Sequence, residues 1–324
     1  MRLSDIISLL GGAALFLFGM SLMGEGLTGA AGSRLEPLLR RLSGTPLRGV
    51  LLGCGVTALI QSSSAVSVTV VGFVNAGLMT LPQAISVIQG ALVGTSVTGW
   101  LVALGSLPGG GWLSLLSASS LSALVAVVGI ALRMASKKHA GDVLLGFAVL
   151  MFALQSMSAS VSPLRENAAF LRLLTAFSHP LPGVLVGAAC AAMLQSASAA
   201  VGLLQAVSLT GALRLDAAYP LLLGIAVGSS APVLLSALGA TTDGRRAALS
   251  YLLIEALGAL LFGALYYALD PALGALRMDA FSLALVNTLF RAATALVLAP
   301  FPKRLARLLS RLIKEPSPAR SNII

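Results

Sequence analysis

Two short polar stretches stand out because each interrupts a long apolar run. Gln61-Ser62-Ser63-Ser64 sits inside the run from Leu47 to Met79, and Gln195-Ser196-Ala197-Ser198 sits inside a second one. Serine hydroxyls both donate and accept, and a glutamine amide adds a donor pair and a carbonyl acceptor. A turn between two helices also exposes N–H groups at the start of the second helix, whose partial positive charge suits an anion. The carbonyls of the same turn can hold a small hard cation such as Na⁺. This chemistry fits a tetrahedral oxyanion bound together with sodium. The candidate oxyanion ligands are Gln61, Ser62, Ser63, Ser64, Gln195, Ser196 and Ser198, and both glutamine amides are expected to brace their turns. A single serine-rich run would read more simply as glue between membrane helices. Its repetition argues for a site.

The repetition extends well beyond the two clusters. Gln61 and Gln195 are 134 residues apart, and at that offset Pro46 falls on Pro180, Gly49 on Gly183, Gly77 on Gly211, Gly90 on Gly224, Gly94 on Gly228 and Gly105 on Gly239. No gap is needed over about a hundred residues, which marks an internal duplication. The apolar segments on either side of each cluster are too short to cross a hydrocarbon core of about 30 Å, and joined end to end they are too long. A re-entrant hairpin with the polar turn at its tip resolves this, since irregular backbone is tolerated only where it is buried in protein or faces a water-filled cavity. Two further spans, 82–104 and 217–239, contain Gly94-Thr95-Ser96 and Gly228-Ser229-Ser230, a pattern that predicts discontinuous helices unwound near the midplane. Thr95, Ser96, Thr98, Ser229 and Ser230, with Gln61 and Gln195, are therefore the candidate sodium ligands. Sodium is the expected coupling ion, and no other metal or cofactor is expected.

The composition, 57% hydrophobic and 10% charged, is that of an integral membrane protein, and the runs rich in Leu, Ala and Gly are helical. The expected fold class is an all-α inverted-repeat transporter with two re-entrant hairpins and two discontinuous helices. One transport domain covers residues 1–300, with repeat 1 at about 6–134, repeat 2 at about 140–269 and an extra span at 281–300. A basic cytoplasmic tail follows at 301–324. Amphipathic interfacial segments are expected at 33–43 and 164–177. The net charge of +10 comes from loops and the tail, which points to lipid and topology, not to nucleic acid. An N-terminus outside puts fifteen of the basic residues counted inside and five outside, which supports seven crossings, a cytoplasmic C-terminus and residence in the cell's inner membrane. Three charges fall at membrane depth. Glu25 lies near the inner end of its span and is placed to snorkel, while Glu255 and Arg291 occupy neighbouring spans as a charge pair. Cys54 and Cys190 read as packing residues. An enzyme is disfavoured because no intramembrane serine has a base positioned beside it.

The stretches Phe16-Leu17-Phe18-Gly19-Met20, Met23-Gly24-Glu25-Gly26-Leu27, Thr57 to Ala65, Val71 to Leu78 and Asn287-Thr288-Leu289-Phe290 together resemble the type II sodium–phosphate cotransporter family over roughly residues 8–300. The resemblance implies sodium-coupled transport of inorganic phosphate, with the hairpin tips as the site. Leu92 and Ala226 stand where the family has asparagine, Ala197 where a third serine is common, and Arg291 where an asparagine is usual. These departures leave the sodium stoichiometry open. Bacterial members of the family often carry a PhoU-like C-terminal domain, which a 24-residue tail cannot hold. Homodimerisation is suggested by the analogy and by no residue. Two alternatives stay open at this level, namely phosphate or oxyanion movement without sodium, including efflux, and a non-transporting membrane scaffold or sensor.

Overall fold

The computed structural model describes residues 3–31, 45–106, 118–163, 167–268 and 274–315. These form fifteen helices: α1 Leu3–Ala31, α2 Pro46–Ile60, α3 Ser63–Asn75, α4 Leu81–Gly94, α5 Ser96–Gly105, α6 Ala118–Met134, α7 Lys138–Val161, α8 Ala168–Phe177, α9 Pro180–Leu194, α10 Ala197–Ser208, α11 Leu215–Gly228, α12 Ala231–Ser236, α13 Thr242–Ala268, α14 Ala280–Leu298 and α15 Pro302–Leu312. No named strand occurs among the described residues. Six segments are long and apolar enough to cross a membrane: Ser4–Ala30, Leu81–Gly105, Lys138–Val161, Leu215–Ser236, Thr242–Ala268 and Ala280–Leu298. The protein is therefore a multi-pass helical membrane protein. Helices α2, α3, α9 and α10, of 12 to 15 residues, are too short to join that set. The expected crossing at 112–134 is described only from Ala118, and the interfacial segment at 33–43 lies outside the described residues.

The duplication in sequence is also a duplication in packing. Helix α2 lies along α4, and α9 lies along α11 in the same way. At the α2–α4 contact the chain is glycine on both sides: a Cβ on Gly90 would overlap the Val50 carbonyl, and one on Gly53 would overlap the Val87 carbonyl. Their counterparts 134 residues on, Gly224 and Gly187, meet the Val184 and Leu221 carbonyls in the same way. Without a hydrophobic drive between helices in lipid, close backbone approach through small residues holds such pairs together. Around these pairs, α3, α12, α13 and α15 complete one core with α4, while α8, α10 and α14 complete another with α11. Helices α1, α5, α7 and α10 share a third core, centred on Phe16, Met151 and Leu154.

The two helix interruptions are milder than the sequence suggests. Between α4 and α5 only Thr95 intervenes, at φ −57° and ψ −28°, and Ser229 and Ser230 between α11 and α12 also stay in the right-handed helical region. The hydroxyls explain this. Thr95 Oγ1 donates to the Ala91 carbonyl (3.2 Å), Ser229 Oγ to Ala226 O (2.7 Å) and Ser230 Oγ to Val227 O (2.7 Å), which closes back on the helix what the break would free. The basic tail also carries more structure than composition implied. Pro302, Leu305, Ala306 and Leu309 form a buried stripe that seats α15 against α4 and α13. The buried guanidinium of Arg246 clamps its end by donating to the Ile313 carbonyl (3.0 and 2.7 Å). At the start of α14, Asp279 is the N-cap, accepting from Ser282 N at 2.7 Å. Hydrogen bonds from the Ser282 hydroxyl and N–H hold its carboxyl below the usual range.

The glycine seam gives a direct check. Gly90→Ala and Gly224→Ala should each lower stability by about 1–3 kcal/mol, the usual cost of overpacking. Gly55→Ala, where an added Cβ meets nothing within 4 Å, should be neutral or stabilising. Thermal unfolding of the purified protein in detergent reads the difference, and equal melting temperatures for all three variants would refute the packing account.

Candidate anion site between the two polar turns

Each polar turn is built in the same three steps. Helix α2 ends when Gln61 enters the left-handed region (φ 60°, ψ 22°), and α9 ends the same way at Gln195 (φ 51°, ψ 25°). The next residue returns to extended backbone, and its hydroxyl caps the following helix. Ser62 Oγ accepts from Ala65 N at 3.2 Å, and Ser196 Oγ accepts from Ala199 N at 3.2 Å. Serine is a strong N-cap, while a non-glycine residue in the left-handed region costs about 1–2 kcal/mol, so the turn persists only with support from its surroundings. The first N–H groups of α3 and α10, at Ser63, Ser64, Ala197 and Ser198, are left without a partner in their own helix. Such groups form an anion-binding cradle.

Both turns line one cavity of about 480 Å³. Gln61, Ser62, Ser63 and Ser64 contribute from one turn, and Gln195, Ser196, Ala197 and Ser198 from the other. Ser229 and Tyr251 complete the inner wall. Helix α1 supplies a further wall from Leu17 to Thr28, which includes Glu25. Among the described residues, no Lys, Arg or His lines this cavity. What it offers an anion is hydroxyls, amides and helix-start N–H groups.

The remaining candidate residues fall at different distances from it. Thr98 reaches the site indirectly, donating its hydroxyl to Gln61 Oε1 at 2.8 Å. Thr95, Ser96 and Ser230 are buried but do not line the cavity. Glu255 and Arg291 are buried and ion-paired, with Arg291 also donating to Asn287 Oδ1 (3.3 Å) and to the Leu92 carbonyl (3.4 Å). They stand off the cavity wall. Tyr251 lies one helical turn from Glu255 on α13, and its hydroxyl lies 3.3 Å from Ser63 Oγ and 3.1 Å from Ser229 Oγ. It thus ties the first turn to the break between α11 and α12.

The two turns are not equivalent. Gln61 is buried and fully engaged, its Nε2 donating to the Ala58 carbonyl and its Oε1 accepting from Thr98. Gln195 is exposed to the cavity, so the expectation that both amides brace their turns fails for the second. The reason is legible at the repeat offset: the counterpart of Thr98 is Pro232, which has no hydroxyl to donate. Sequence reasoning missed Tyr251, Ser21 and Thr28. The signals were their positions, Tyr251 one turn before Glu255, and Ser21 and Thr28 on the helical stripe with Glu25.

Comparison with known proteins places the chain in a family. A model of the Na⁺/Pi-cotransporter family matches residues 15–159 and again residues 160–286. The "Putative inorganic phosphate export protein YjbB" of Salmonella typhimurium is 26% identical over 316 residues, which covers 96% of this chain and 56% of that protein. The chain thus spans about half the length of that relative. The "Uncharacterized protein YqeW" of Bacillus subtilis is 26% identical over 303 residues, 92% of this chain and 95% of the relative. A 59-residue stretch, 18% of this chain, is 48% identical to 9% of the human "Sodium-dependent phosphate transport protein 2B". No solved structure matches. The two family matches cover most of the chain, and with them the protein belongs to the Na⁺/Pi-cotransporter family, a family of transporters and not of enzymes.

Proposed function

We propose that this protein is a secondary transporter that moves inorganic phosphate across the membrane coupled to sodium, and that the cavity between the two polar turns is its phosphate site. The observation that carries this reading is the convergence of both Gln-Ser turns, 134 residues apart in sequence, on one cavity to which they present hydroxyls, amides and helix-start N–H groups. Phosphate would be held by the N–H groups that open α3 and α10 and by the hydroxyls of Ser62, Ser63, Ser64, Ser196 and Ser198. Gln195 would add its free amide. Gln61 would act through the turn it holds.

The hairpins α2–α3 and α9–α10 would be re-entrant and related by an inverted repeat, entering from opposite sides within one transport domain. In the topology that the basic residues favour, the C-terminus is cytoplasmic, the protein resides in the inner membrane, and the cavity opens inward, because it runs along α1 toward that helix's end. Hydrogen bonds among α5, α10 and α14 would hold the other side closed. Gln205 Nε2 donates to the Gly99 and Ala280 carbonyls (2.9 Å each), and Trp100 Nε1 to Thr288 Oγ1 (2.8 Å), which joins α5, α10 and α14. Opening these contacts while closing the cavity would give alternating access. A second reading is export without sodium: the YjbB relatives are named for phosphate export, and Arg291, ion-paired with Glu255, bonds the Leu92 carbonyl near the first helix break where a sodium ion was expected.

Uptake of labelled phosphate into proteoliposomes, with sodium replaced by choline or potassium, separates these readings. Sodium-driven accumulation supports the first, equal uptake in all three salts supports the second, and no uptake contradicts both. Within the site, Ser63→Ala should raise the half-saturating phosphate concentration roughly ten- to hundredfold, since a hydrogen bond to a charged group is worth about 1.5–3 kcal/mol. Ala197→Ser should leave it unchanged or improve it. Gln61→Ala and Gln195→Ala should both abolish transport, but only Gln61→Ala should also lower the melting temperature. An unchanged apparent affinity in Ser63→Ala would place the site elsewhere.

A further inference from the structure

Among the described residues, Glu25 is the one acidic side chain that lines the anion cavity, and no basic side chain lines it. Its position follows from helix geometry. Leu17, Met20, Ser21, Gly24, Glu25 and Thr28 recur every three or four residues and so form one face of α1, which is the wall of the cavity. Ser21 Oγ donates to Glu25 Oε1 at 3.1 Å, which orients the carboxylate, and Thr28 follows one turn further on the same face. A carboxylate in a cavity shared with a phosphate repels it, and a positive charge between them or near them relieves that repulsion. Carboxylate and hydroxyl oxygens are the ligands that hard cations prefer.

We propose that Glu25, with Ser21 and Thr28 beside it, is a binding site for the coupling sodium ion, which rests on the reading of the cavity as a sodium-coupled phosphate site. This places a cation on α1, outside the duplicated turns and outside the helix breaks at Thr95 and Ser229–Ser230, whose hydroxyls already bond to their own helices. It gives the coupling a direct electrostatic form. The occupied carboxylate stops repelling phosphate, and bound phosphate in turn raises the affinity for the cation, because coupling between two sites is reciprocal.

The test is sodium activation of phosphate uptake in proteoliposomes, at fixed phosphate and at two pH values, for the wild type, Glu25→Gln and Glu25→Asp. Glu25→Gln should raise the half-activating sodium concentration at least tenfold, Glu25→Asp should keep sodium activation with a smaller shift, and Ser21→Ala should weaken it severalfold. Binding of labelled sodium to the purified protein, with and without phosphate, checks the same point independently of transport. Phosphate should tighten sodium binding in the wild type and not in Glu25→Gln. An unchanged sodium curve in Glu25→Gln overturns the assignment and leaves Glu25 a solvated residue, while phosphate transport itself stands. A changed pH profile with an unchanged sodium curve also overturns it, in favour of a proton. A wild type that needs no sodium overturns both this site and the sodium coupling on which it rests.

Discussion

The structure depends on one constraint, that a chain breaking its helix inside an apolar bundle must satisfy every backbone polar group it frees. Both breaks meet it with the same device, a glutamine in the left-handed region followed by a capping serine. The device is incomplete by construction. A serine cap satisfies one N–H of the new helix and leaves the first ones open. Those open donors, facing one cavity from two turns, are the chemistry of the proposed site. On that proposal the residues that make the turn foldable are also the residues that would hold the anion.

The asymmetry between the halves adds function to that symmetric plan. In the first half Thr98 fixes Gln61, and Tyr251 fixes Ser63, so this turn is rigidly embedded in its surroundings. In the second half the proline at 232 and the alanine at 197 remove the corresponding groups, and Gln195 faces the cavity. In the proposed site one turn would be a preorganised cradle and the other an adaptable partner. Tyr251 also links the rigid turn to the break in the opposite repeat through Ser229. Movement of either repeat would then bear on the proposed ligands of both.

Much of this was legible in the sequence because the duplication made it so. The offset of 134 marked the two polar turns and the matched glycines Gly90 and Gly224, while the serine caps and the close backbone approach at those glycines are seen only in the structure. What sequence could not supply was the partner of each group. The sequence left open whether the hydroxyls of Thr95, Ser229 and Ser230 are ligands or close back on their own helices, and nothing along the chain says that Tyr251 bridges two serines from different repeats. Glu25 was read from its distance to the helix end, whereas its cavity-facing position depends on which face of α1 the turns approach. The α15 stripe was hidden by charge. Its leucines recur at helical spacing, but the arginines between them dominate the composition.

The central claim is that two turns make one anion site. Equilibrium binding of labelled phosphate to the purified protein counts the sites directly, in the wild type and in variants that remove either helix cap, Ser62→Ala or Ser196→Ala. The account predicts one phosphate per chain, with binding lost or sharply weakened when either cap is removed. Two phosphates per chain, or a variant that keeps full affinity with one cap gone, would mean that each turn binds on its own and would contradict it.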